Sequence, residues 1–179
     1  MKTTQILIAG FGGQGVLFAG KFLAYKGLLE DLQVSWLPSY GPEMRGGTAN
    51  CSVILSDDPV GSPIITEPDV LIAMNLPSLQ KYVNAVVPGG QIYLDSTLIA
   101  EKVDRTDVDV FYIPATQMAK DEGVTTLANM IIVGSLLENN AALSFDGAED
   151  TVKKLVPAKK AALVDLNLKA LQMGKEYRA

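Results

Sequence analysis

Histidine is absent from the 179 residues, and cysteine occurs once. Without imidazole the chain lacks the commonest general base, the usual activator of a serine or cysteine nucleophile and the commonest metal ligand. That argues against a stand-alone hydrolase. Cys51 cannot form an internal disulfide, and no CxxC or Cys/His spacing is present to hold zinc or an iron–sulfur cluster. Clustered basic charge is missing too: the formal net charge is -5 and the basic residues are spread out, which opposes binding of a nucleic-acid backbone. The first apolar run, Ile6 to Ala9, ends at Gly10 and is too short for a signal core or a membrane span, so no membrane partner and a cytoplasmic location are expected.

What is present describes a chain that folds. Hydrophobic residues make up 48% and charged residues 20%, the balance of a globular protein. The length suits one domain spanning 1–179, with a three-layer core that needs neither disulfide nor metal. Ile6 to Gly10 reads as a buried strand, and Val16 to Leu29 as a well-buried helix. Strands follow at Gln33 to Leu37 and, with alternating polarity, at Ala49 to Ser56; the glycines and proline of Ser39 to Thr48 make a loop between them. Further strands are expected within Pro68 to Met74, at Gln91 to Asp95 and at Val108 to Ile113. Helices are expected at Pro77 to Val87, Thr116 to Glu122, Thr125 to Asn139 with a threonine cap, Asp146 to Val156 and Pro157 to Gly174. The alternation predicts a three-layer α/β/α fold with a mostly parallel, mixed sheet and a Rossmann-like first βα unit, Ala49 to Ser56 being the candidate antiparallel strand.

Gly10, Gly12 and Gly15 satisfy GxGxxG, with Gly13 extra, directly between a strand and a helix. In that setting backbone amides and a helix N-terminus face a phosphate. The plainer alternative is a tight βα turn that binds nothing. A dinucleotide site also wants an acid at the end of the second strand, and here that strand ends Leu37-Pro38-Ser39, which argues against NAD or FAD. Tyr40, Glu43 and Arg45 lie among Gly41, Pro42, Gly46 and Gly47 on a loop expected at the same sheet edge. Arg45 offers a fork for phosphate or carboxylate, or else makes a solvated local pair with Glu43. Asn129, in an apolar helix, needs partners at a loop or across an interface, or is satisfied within the core. Cys51 reads as an inert buried thiol, Trp36 as core, and the lysines at 153, 154, 159 and 160 as a solvated face.

GFGGQG at Gly10 to Gly15, PSYGPEMRGGTANC at Pro38 to Cys51 and LANMIIVGSLLE at Leu127 to Glu138 together resemble the gamma subunit of 2-oxoacid:ferredoxin (acceptor) oxidoreductases. The resemblance runs in order along nearly the whole chain. It implies membership of a multisubunit enzyme that oxidatively decarboxylates a 2-oxoacid, forms an acyl-CoA and passes electrons to ferredoxin or a similar acceptor. Thiamine diphosphate and magnesium would sit on alpha and beta subunits, and iron–sulfur clusters on a delta or beta subunit. None of these cofactors is expected on this chain, nor any metal or catalytic residue. Gly10, Gly12, Gly13, Gln14, Gly15, Tyr40, Glu43, Arg45, Gly46, Gly47 and Asn129 would face coenzyme A or partner subunits. The motif forms look most like the 2-oxoglutarate branch; pyruvate, branched-chain 2-oxoacids and indolepyruvate stay open, as does self-association of the isolated chain. The rival readings are a stand-alone nucleotide- or CoA-binding module and a purely structural subunit.

Overall fold

The computed structural model describes residues 3–39 and 48–178. Among these residues six strands form one sheet: β1 (Thr4–Phe11), β2 (Gln33–Ser39), β3 (Thr48–Ser56), β4 (Val70–Ala73), β5 (Gln91–Asp95) and β6 (Asp109–Ile113). Their order across the sheet is β2-β3-β1-β4-β5-β6. Only β3 runs against the others, pairing antiparallel with both β1 and β2, while β1, β4, β5 and β6 pair in parallel. The mixed, mostly parallel α/β sheet expected from the alternation is therefore present.

Alternation of side chains across the pleat divides the core in two. Ile8, Ile72 and Tyr93 lie side by side on one face, and Leu7, Leu71 and Ile92 on the other. The first face is covered by α1 (Val16–Leu29), α3 (Ala115–Asp121), α4 (Ala128–Asn139), α5 (Ala148–Leu155) and α6 (Ala162–Glu176). The second carries only α2 (Leu76–Tyr82), a 3₁₀ turn at Val83–Ala85 and irregular chain.

On the thick face, α4 is buried from Ala128 through Leu137, as befits a helix apolar on all sides. It packs against α6 through two glycines: a Cβ on Gly134 would run into the Leu171 carbonyl, and one on Gly174 into the Ile131 carbonyl. The backbones themselves touch there. Lys26, buried on α1, pairs with Glu30, whose carboxylate also accepts from the Ser144 amide at 3.1 Å, so that α1 is tied to the chain leading into α5.

Several expectations need correction: the helix expected at Pro77 to Val87 is α-helical only through Tyr82, and the one expected from Pro157 begins at Ala162, after a 3₁₀ turn at Ala158–Lys160. The fourth helix begins at Ala128, not Thr125, and Leu127 at its N-cap makes no side-chain capping bond. The preceding residues are spent on a separate turn, in which the Leu127 amide donates to the Val124 carbonyl at 2.8 Å. Trp36 is 38% exposed because β3 lies between β1 and β2, leaving β2 at the sheet edge. Leu28 and Leu29 of the helix read as well buried are exposed for a related reason: α1 turns Phe22, Leu23 and Lys26 inward instead. Pro38, lacking an N–H, is tolerated in β2 because the strand is an edge.

Candidate functional site

The glycine turn connects β1 to α1 at the carboxyl edge of the sheet. Gly13 has φ of 92° and Gly15, the N-cap of α1, 74°, a left-handed backbone that suits glycine. The Gln14 amide closes the turn onto the Phe11 carbonyl at 3.2 Å.

The Gln14 side chain does more. Its Oε1 accepts from the Phe11 amide at 2.6 Å, and its Nε2 donates to the Met74 carbonyl at 2.9 Å. Asn75 Nδ2 approaches the same Oε1 at 3.5 Å, while Asn75 Oδ1 caps α2 by accepting from the Ser78 amide at 2.9 Å. Gln14 thus bridges the ends of β1 and β4, and a Cβ on Gly10 would sit 2.7 Å from its Oε1. A doubly wound sheet takes a dinucleotide in the crevice where successive strands diverge to opposite sides. Here the Gln14 side chain spans the carboxyl ends of the two strands at that point.

Among the described residues the face toward α1 is open. Val16, Leu17 and Phe18 carry first-turn amides that a helix leaves without intrahelical acceptors. They line a cavity of about 250 Å3 together with Phe11, Gly12, Gly13 and Ala49. Helix-end amides and the macrodipole together favour an anion at such a place. Asn129 fixes the turn from the thick face: it is buried, and its Nδ2 donates to the Gly15 carbonyl at 3.0 Å. A Cβ on Gly15 would lie 2.8 Å from Asn129 Cγ, so glycine is required there on steric as well as conformational grounds.

The structure therefore brings Gly10, Gly12, Gly13, Gln14, Gly15 and Asn129 together at one edge. Tyr40, Glu43, Arg45, Gly46 and Gly47 lie outside the described residues. Their flanks stand at that edge, since Ser39 pairs with Asn50 and Thr48 with Phe11. Sequence reasoning missed Met74 and Asn75. Asn75 was legible, because an asparagine two residues before a proline at the end of a strand is a helix-start signal. Met74 contributes only its carbonyl oxygen, which no side-chain pattern reveals.

Among the described residues no group of three or more His, Cys, Asp or Glu side chains could hold a metal ion. Cys51 is fully buried, and burial pushes its thiol up to about 12 against weaker opposing bonds from Trp36 and Gly20. It is an inert thiol. Asp95, buried at the same sheet edge, accepts from the Thr116 hydroxyl at 2.5 Å and from the Thr97 amide at 3.1 Å, and so secures the entry to α3. Among the described residues the turn thus presents first-turn amides of a helix, a setting that favours an anion. Among the described residues no helix is long and apolar enough to cross a membrane.

Residues 5–177 match the model of the pyruvate ferredoxin/flavodoxin oxidoreductase family. The chain is 38% identical to ketoisovalerate oxidoreductase subunit VorA of Methanothermobacter thermautotrophicus over 97% of its own length but only 36% of that protein's. It is 36% identical to 2-oxoglutarate synthase subunit KorC of Methanothermobacter marburgensis, covering 96% of this chain and 95% of the relative. The crystal structure of a keto/oxoacid ferredoxin oxidoreductase gamma subunit from Geobacter sulfurreducens superposes with a TM-score of 0.85 at 31% identity, covering 98% of this chain and 96% of that one. The chain thus spans about a third of one relative and nearly all of the others.

Proposed function

Since the chain belongs to the pyruvate ferredoxin/flavodoxin oxidoreductase family, we propose that it serves as the gamma subunit of a 2-oxoacid:ferredoxin oxidoreductase, in which it docks partner subunits and faces coenzyme A. The observation that carries this reading is the open cavity at the N-terminus of α1, built by the glycine turn in a chain that matches a gamma subunit from end to end. A phosphate of coenzyme A suits the unpaired amides of Val16 to Phe18. The contribution we assign is positioning: among the described residues the turn offers amides and carboxamides, and decarboxylation and electron transfer would fall to partner chains holding thiamine diphosphate, magnesium and iron–sulfur clusters. We take 2-oxoglutarate as the substrate and the cytoplasm as the location. The whole-length likeness to a KorC subunit supports the first, and the VorA likeness makes ketoisovalerate its rival.

The test is acceptor reduction measured for the chain alone and reconstituted with its partner subunits, with 2-oxoglutarate and 2-oxoisovalerate as alternative substrates. Turnover should need the whole complex and coenzyme A, and should favour 2-oxoglutarate. Turnover by the chain alone, or none in the full complex, would sink the subunit reading. A purely structural subunit is favoured by one observation, the Gln14 side chain that spans the ends of β1 and β4. Calorimetry with coenzyme A on the assembled complex separates the two: Gly12→Val should weaken binding about 10-fold if the turn faces the ligand, by blocking close backbone approach.

A further inference from the structure

The two edges of the sheet differ. β6 opens on Asp109, whereas β2 carries no charge in a chain with 20% charged residues. Exposed edges are ordinarily guarded by charge, because their free N–H and C=O groups template further pairing. Half of the large apolar side chains exposed among the described residues stand at the β2 edge or on the helix beside it: Trp36 and Leu37 on β2, and Tyr25, Leu28 and Leu29 on α1.

Register fixes which main-chain groups of β2 are free. In a strand the N–H and C=O of one residue point to the same side, and the side alternates along the chain. The Ala9 carbonyl accepts from the Met74 amide at 2.8 Å, so odd positions of β1 face β4 and even ones face β3. Ile6 pairs with Val53 and Ile8 with Cys51, so odd positions of β3 face β1 and even ones face β2. Ser35 pairs with Ile54 and Leu37 with Ser52, which leaves Val34, Trp36 and Pro38 turned outward. The outward place is the one that a residue without an N–H can take. Side chains alternate as well: Val34 and Trp36 lie against Gly27 and Gly20 of α1 on the thick face, which puts Ser35 and Leu37 on the thin face.

We infer that the chain pairs with a second copy of itself through β2, joining two six-stranded sheets into one. The strand is complementary to itself. Run antiparallel about a two-fold axis at Trp36, the two Trp36 residues exchange N–H···O bonds and each Val34 amide meets a Pro38 carbonyl, so no outward amide is left over. Trp36 then faces its own copy on the thick face, and Leu37 faces Ser35 on the thin one. Any charge on such a strand would lie close to a like charge, and Gln33–Ser39 has none. An aromatic pair at the centre is the kind of anchor that carries interface energy. Such pairing needs no ligand at the glycine turn.

The experiment is sedimentation velocity of the full chain together with disulfide trapping. The chain should sediment as a dimer with a Kd of about 10 μM or below. Leu37→Lys, a charge on an exposed edge position, should weaken it at least about 10-fold. Ser35→Cys and Leu37→Cys chains, mixed and oxidised, should link at least about 10-fold faster than either variant alone. Opposite positions stand about 5 Å apart, whereas position 35 or 37 and its own copy stand about 7–8 Å apart, beyond disulfide reach. Cys51 is buried and does not compete. The mixed pair should also link in the complex reconstituted with partner subunits. A chain still monomeric at about 200 μM, Leu37→Cys linking alone as fast as in the mixture, or loss of linking in the complex because a partner subunit's strand takes β2, would each overturn the pairing. None of these measurements depends on 2-oxoacid turnover, so the subunit reading stands or falls by its own assay.

Discussion

The two faces of the sheet hold the glycine turn by different means. From the thick face, a carboxamide on the deeply buried helix α4 reaches the Gly15 carbonyl. From the thin face, Gln14 folds back from the turn itself and takes hold of β4 through the Met74 carbonyl. One anchor is borrowed from the core and moves only if the core moves; the other is local and depends on a single side chain. A site clamped in this way has its backbone geometry set before any ligand arrives, the condition under which amide dipoles are most effective.

The difference can be broken first at the thick face. Cys51 lies under α1 there, and at pH 8 its thiol should react with iodoacetamide at least about 1000-fold more slowly in the folded chain than in urea, because only the thiolate is nucleophilic. Rapid labelling of the native protein would show that the face is not closed. The sign of the linkage follows: burial raises the thiol in the folded state, so its contribution to stability is whole below about 8.5 and is lost as pH climbs toward about 12.

Next, Gly134→Val should cost about 3 kcal/mol or more in urea denaturation, since α4 and α6 must separate to admit it. A small effect would mean that the backbone contact is looser than described. The smallest effect is expected at the local anchor. Gln14→Ala should cost about 1 kcal/mol, with faster hydrogen exchange confined to Phe11 and its neighbours. Exchange that spread into β4 and α4 would show that the two faces are not separately anchored.

Much of this was legible from residue patterns. The strand–turn–helix opening and the alternating β3 follow from apolar periods, and glycine demands at 13 and 15 follow from turn chemistry. What stayed hidden depends on partners distant in sequence. The position of β2 at the edge follows from β3 pairing with both neighbours, and so the exposure of Trp36 could not be read from its own segment. The start of α4 was misplaced because a turn through Val124 and Leu127 imitates a threonine-capped helix start. Gln14 was singled out as facing coenzyme A or a partner subunit; that its amide also holds residues 60 and more positions away lies beyond the reach of any local rule.

The placement of β3 between β1 and β2 also has a kinetic meaning. As the chain emerges from the ribosome, β1, α1 and β2 are complete before β3 exists, but β2 pairs with β3 alone and has no place on the sheet until it arrives. A β1–β2 pairing made early would have to come apart again to admit the later strand. Docking of residues 48–56 is therefore expected to gate the closing of this half of the sheet, and the strands that flank the glycine turn should be among the last to gain protection during refolding.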